Sequence, residues 1–136
     1  YFDSLEGLTI AVLGLTFKPG TDDLREAPSL VNIPIMLDDG AHVKAWDPVG
    51  TENFKKRSLG DIKYCDTIEE TLDGADLCFI FTEWPEVKNL DISLFSKKMR
   101  QAIIIDGRNC YALDRMEQQP VIYHSIGRRT IVNLEP

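Results

Sequence analysis

Cysteine, histidine and basic charge are all scarce in this chain, and each scarcity removes a class of function. Its 136 residues include 3 cysteines and 2 histidines. Cys65, Cys78 and Cys110 form an odd set with no C-x-x-C pair, and His42 and His124 have no partner at metal-ligand spacing. Neither a disulfide framework nor a zinc centre is expected. Cys78 lies in the apolar run LCFIF and reads as a small core residue, while Cys65 and Cys110 lack a neighbouring histidine to activate them. An unpaired set of this kind fits a reducing compartment, the cytoplasm. Basic residues number 15 against 22 acidic ones, for a formal charge of −7. They are scattered, and the short runs Lys55-Lys56-Arg57 and Arg128-Arg129 read as solvated surface, which speaks against a nucleic-acid partner. No apolar stretch approaches the roughly 20 residues of a membrane span, so no membrane association is expected. The chain opens YFDSLEG, with no Met and no signal-like segment, as expected of a piece excised from a longer protein.

What is present, 43% hydrophobic and 27% charged residues, suits one domain over residues 1–136 whose core needs no staples. Six β-favouring runs alternate with helix-like segments. They span 9–15 (TIAVLGL), 42–46 (HVKAW), 62–65 (IKYC), 77–82 (LCFIFT), 102–105 (AIII) and 121–126 (VIYHSI). The first, fourth and fifth are nearly continuous in branched and aromatic residues, as central strands covered on both faces must be. Helices are expected over 30–39, 67–72 and 92–99, with weaker ones over 51–57 and 114–118. Ser29 is a candidate cap and Gly40 a stop for the first, which Pro34 should kink; Asp66 and Asp91 offer acidic caps for the next two. The fold class is therefore α/β, a Rossmann-like doubly wound sheet of about six mostly parallel strands with helices on both faces.

Ligands of such folds bind beyond the carboxyl ends of the strands. There the loop TFKPGTDDLREAP, residues 16–28, is much longer than the usual βα connection. Lys18 supplies a point charge, Arg25 a bidentate fork and Phe17 a flat apolar wall for a base or sugar. The alternative is a solvated loop in which Asp22, Asp23 and Glu26 pair with both cations. Gly14 and Gly20 make neither G-x-G-x-x-G nor a Walker spacing, so this is not a standard dinucleotide or triphosphate loop. Asp47 stands where a dinucleotide-binding domain places its ribose acid, but without the glycines a turn-forming Asp-Pro is the better reading. Arg108, after the fifth run, falls on the same rim, with Asp106 either holding it or capping the strand. Trp84, after the fourth, either stacks on a ligand or closes the core.

Taken in order, GLTFKPGTDDLREAPS, HVKAWDP, FTEWPE, DGRN and YHSIGR resemble the C-terminal domain of the UDP-glucose/GDP-mannose dehydrogenases over nearly the whole chain. TEWPE and SIGR sit closest to the UDP-glucose 6-dehydrogenase branch; the GDP-mannose and UDP-N-acetylmannosamine dehydrogenases have related first blocks. The resemblance implies a nucleotide-sugar-binding domain facing a separate N-terminal NAD domain across a long central helix. It assigns substrate contact to Phe17, Lys18, Pro19, Gly20, Thr21, Asp22, Asp23, Leu24 and Arg108, and contact with the NAD cofactor to Arg25. It implies no metal and no catalytic residue in these 136 residues, because the glycine-rich NAD loop and the segment carrying the catalytic Cys precede this domain. The parent enzyme so implied oxidises the sugar C6 hydroxyl of UDP-glucose to a carboxylate by two hydride transfers to NAD through a thioester. It serves polysaccharide precursor synthesis in the cytoplasm as a homodimer or larger assembly, and the isolated chain should not turn over. Two rivals are a phosphoacceptor receiver, which fails where Asp106 replaces its lysine, and a non-catalytic Rossmann module for CoA or NAD.

Overall fold

A computed structural model describes residues 2–57 and 59–134. In chain order the elements are β1 (Thr9–Leu13), α1 (Pro28–Asp38), β2 (His42–Trp46), α2 (Thr51–Lys55), β3 (Ile62–Tyr64), α3 (Ile68–Leu72), β4 (Leu77–Ile80), α4 (Pro85–Lys88), α5 (Ser93–Lys98), β5 (Ile103–Asp106), α6 (Leu113–Met116), β6 (Ile122–Ser125) and β7 (Ile131–Val132). The strands form one sheet ordered β3-β2-β1-β4-β5-β6-β7. All pairs are parallel except β6 with β7, which is antiparallel. The three most apolar runs do lie together, with β4 between β1 and β5.

Alternation along the strands divides the core in two. Ile10 and Val12 of β1 join Ile33 and Met36 of α1 and Phe54 of α2 in one cluster. Ala11 and Leu13 join Leu72 of α3, Val87 of α4, Phe95 of α5 and Met116 of α6 in the other. Helices thus cover both faces, which is why the central strands carry almost no polar side chain. Each fully buried Ile, Leu or Phe contributes about 1.5–3 kcal/mol through area removed from water. Among the described residues no helix is long and apolar enough to cross a membrane.

Helix α1 runs through Pro34 and ends in a Schellman turn. The Gly40 N–H donates to the Leu37 carbonyl and the Ala41 N–H to that of Met36, with Gly40 at φ 89°. The expected caps need correcting. Ala27, not Ser29, is the N-cap of α1; Ser29 lies inside the first turn, and its buried hydroxyl donates to the Leu15 carbonyl at 2.5 Å. Thr67, not Asp66, caps α3 by accepting from the Glu70 N–H. Ile92, not Asp91, is the N-cap of α5, although Asp91 just before it accepts from the Ser93 N–H. Two elements had not been expected, α4 and the two-residue β7.

Candidate functional site

Chain leaving β1 turns to α1 on one face of the sheet, and chain leaving β4 turns to the other, so the topological switch point lies between their carboxyl ends. In this protein that crevice is closed. Gly14, at φ 93°, packs so tightly against Thr82 that a Cβ there would lie 2.4 Å from the Thr82 Cβ. The Thr82 hydroxyl donates to the Thr16 carbonyl at 2.6 Å. Asp47, 6% exposed, closes the remainder. Its Oδ2 accepts from the N–H groups of Leu15 (2.8 Å) and Thr16 (3.3 Å) and from the Trp84 indole (3.1 Å), while its Oδ1 accepts from those of Val49 and Gly50. The backbone N–H groups that would cradle a pyrophosphate in a dinucleotide domain are therefore taken by an internal carboxylate. The turn role read for Asp47 is present in its Oδ1 bonds, and no oxygen is left for a ribose. Trp84, buried and held by Asp47, closes the core.

Beyond Thr16 the same loop opens to solvent. Phe17, Lys18, Asp23, Arg25 and Glu26 line one recess of about 390 Å³. The Phe17 N–H donates to the Asp23 carbonyl, and Thr21 accepts from the Asp23 N–H, which folds the tip into a closed lobe. Gly20, at φ 84° with open space around it, makes the turn. Pro19 and Gly20 also border a cleft of about 610 Å³ whose far wall is Glu83, Trp84, Pro85, Glu86, Lys88 and Asn89. Asp22 accepts from the Asn53 amide of α2, at 2.8 Å. Leu24 differs from the rest of the stretch, since its side chain is buried in the cluster that contains Leu15 and Phe54.

The charges of this lobe are partly answered within it. Arg25, its side chain 86% exposed, pairs with Asp23 at 2.8 Å. Hydrogen bonds from the Arg25 side chain and backbone hold the Asp23 carboxyl down at about 2. The Lys18 carbonyl accepts from the Thr16 hydroxyl, but its ammonium makes no direct hydrogen bond or ion pair among the described residues.

Arg108 joins this rim from the loop after β5. Its Nη2 donates to the Phe17 carbonyl at 3.2 Å, and its guanidinium carbon lies 6.0 Å from the centre of the Phe17 ring. Asp106 does not touch that guanidinium. Buried, it accepts from the Arg108 N–H (2.8 Å), the Cys110 N–H (2.7 Å) and the Tyr123 hydroxyl (2.6 Å), fixing the base of the loop. The guanidinium is instead held by Glu83, which sequence reasoning missed. Arg128 also needs correcting: it is not solvated surface but folds over the Tyr123 ring and donates to the Tyr111 carbonyl and the Tyr123 hydroxyl. Burial raises the thiols of all three cysteines, that of Cys110 to about 12 with help from Asp106 and Glu83, so none is set up as a nucleophile.

A family model described as "UDP-glucose/GDP-mannose dehydrogenase family, UDP binding domain" matches residues 11–113. The UDP-glucose 6-dehydrogenase TuaD of Bacillus subtilis (strain 168) is 41% identical over 133 residues, which are 98% of this chain and 29% of that protein. The solved UDP-glucose dehydrogenase of the hyperthermophilic archaeon Pyrobaculum islandicum superposes with a TM-score of 0.70 at 31% identity, over 89% of this chain and 26% of its own. A solved UDP-D-ManNAc dehydrogenase from Pyrococcus horikoshii gives 0.69 at 33% identity, over 92% and 26%. The chain spans less than a third of the length of each of these relatives.

Proposed function

The chain belongs to the UDP-glucose/GDP-mannose dehydrogenase family as its UDP-binding domain, and from that premise we propose that it is the nucleotide-sugar-binding domain of a UDP-glucose 6-dehydrogenase. The carrying observation is the bond from Arg108 to the Phe17 carbonyl, which ties the loops after β1 and β5 into one rim. On that rim Lys18 and Arg108 offer cations to a diphosphate and Phe17 an apolar face to a base or sugar. Residues Phe17 to Leu24 supply the remaining substrate contacts, through backbone alone at Leu24.

The sealed switch point does not suit a dinucleotide, whereas the outward-facing Arg25 suits contact with an NAD held by another domain of the parent protein. When bound there, NAD supplies the hydride acceptor. The parent oxidises UDP-glucose to UDP-glucuronate in two such transfers, with its nucleophilic cysteine drawn from outside these residues. Closing two domains on the substrate excludes water until the thioester is due to hydrolyse. The parent works in the cytoplasm, as a homodimer or larger assembly. A second reading, the same domain of a UDP-N-acetylmannosamine dehydrogenase, draws on the 33% identity to the UDP-D-ManNAc dehydrogenase from Pyrococcus horikoshii.

Calorimetric titration of the chain with UDP, UDP-glucose, GDP and NAD in parallel at low salt tests the proposal. UDP and UDP-glucose should bind in preference to GDP, and Lys18→Ala or Arg108→Ala should weaken both. Preference for NAD would overturn it, as would NADH formation from UDP-glucose by this chain alone. Stronger binding of UDP-N-acetylmannosamine than of UDP-glucose would select the second reading.

A further inference from the structure

Arg108 arrives at the rim already held. Of the five N–H donors of a guanidinium, Nε donates to Glu83 Oε2 at 2.7 Å, and Nη2 donates to Glu83 Oε1 at 3.1 Å and to the Phe17 carbonyl at 3.2 Å. The two protons of Nη1 have no acceptor among the described residues. The paired side chains are 26% and 29% exposed, Arg108 and Glu83 respectively, and so are largely withdrawn from water. The backbone beneath them is fixed as well. Asp106 accepts the Arg108 N–H, and Asn109, at φ 53°, exchanges two hydrogen bonds with the backbone of Ile126. The pairing of β4 with β5, Ile80 opposite Asp106, brings the two loop residues side by side. Glu83 also borders the cleft beside Pro19 and Gly20.

We infer that Glu83 is a positioning residue for the nucleotide-sugar: it sets the guanidinium of Arg108 before the ligand arrives and leaves Nη1 as the donor for a diphosphate. Both two-pronged faces of a guanidinium include Nη2, which is already committed twice, so Arg108 meets the ligand through Nη1 alone. This role rests on the reading of the rim as a UDP-sugar site.

Removing Glu83 has two effects of opposite sign. It frees a cation, which by itself would tighten the binding of an anion. It also leaves a long, flexible side chain with one remaining bond, which must then be ordered at each binding event. Positioning requires the second effect to win.

The test is a double-mutant cycle on this chain with UDP as the probe, read by calorimetry at two salt concentrations, with the thermal midpoint as a control for folding. Glu83→Ala should weaken UDP about tenfold and steepen the salt dependence, because Arg108 loses its internal counter-charge. In the Arg108→Ala background, Glu83→Ala should cause no further loss of affinity. Where Glu83→Ala compromises folding, Glu83→Gln takes its place and should give a smaller loss of the same sign. Unchanged or tighter binding by the single variant would overturn the inference. So would an equal loss in the Arg108→Ala background, which would reduce Glu83 to general support of the fold. Failure of the wild-type chain to bind UDP at all would overturn the reading of the rim itself, and this role with it.

Discussion

The loop that leaves β1 behaves as two different materials. Its root, Gly14 to Thr16, is buried, and carboxylate, hydroxyl and close backbone contact hold it in place. Its tip, Phe17 to Glu26, is largely exposed and held mainly by bonds within itself and to Asn53 and Arg108. The contrast shows how a fold built to admit a dinucleotide at its switch point can be adapted to another task. The crevice is filled from within, and the proposed chemistry lies further out, on the lobe the filled crevice supports.

Gly14→Ala strikes the root hardest, since it places a Cβ 2.8 Å from the Thr82 backbone nitrogen and forces an L side chain to φ 93°. A loss of more than about 4 kcal/mol is expected, measured by denaturant unfolding; a variant nearly as stable as wild type would show that the root is not sealed. Asp47→Ala should come next, at about 3–5 kcal/mol, because it strands buried donors from two loops and an indole. At the tip the balance should invert. Lys18→Ala should change stability by no more than about 0.5 kcal/mol while lowering UDP affinity several-fold; equal losses in both would erase the distinction between root and tip.

The smallest effect lies in Asp23. Its folded carboxyl is held near 2 by Arg25, below its unfolded value of about 3.9. The contact therefore favours the folded lobe above about pH 4, and its contribution is lost as pH falls from there toward 2. NMR titration of the Asp23 carboxyl carbon should find a midpoint near 2, raised toward the ordinary carboxylate range in Arg25→Ala, which keeps only the backbone N–H bond. A midpoint that ignores Arg25 would mean the lobe is not held by that pair.

The sheet was legible because its strands are buried on both faces, which writes continuous apolar runs into the sequence. The same feature blurred their ends. Leu15, Phe81 and Thr82 extend the runs, yet they sit past the last paired residues because they face the core from loops. β7 and α4 were not legible, since two and four residues are too short to carry a period. In the site, the charged and aromatic residues of an overlong loop pointed to the rim. The contacts between loops did not show. Asp47 announced its turn through the following proline but not its bonds to Leu15 and Trp84, which join residues distant in the chain. Glu83 carried one usable clue: it follows β4 as Arg108 follows β5, and those strands are neighbours.

The two ends of the sheet carry a consequence of their own. Its outer strands, β3 and β7, are three and two residues long, and the second runs against the direction of the others. Neither offers a template long enough for a foreign strand to add on. A purified domain can therefore be concentrated for titration or crystallisation without its sheet seeding growth from molecule to molecule.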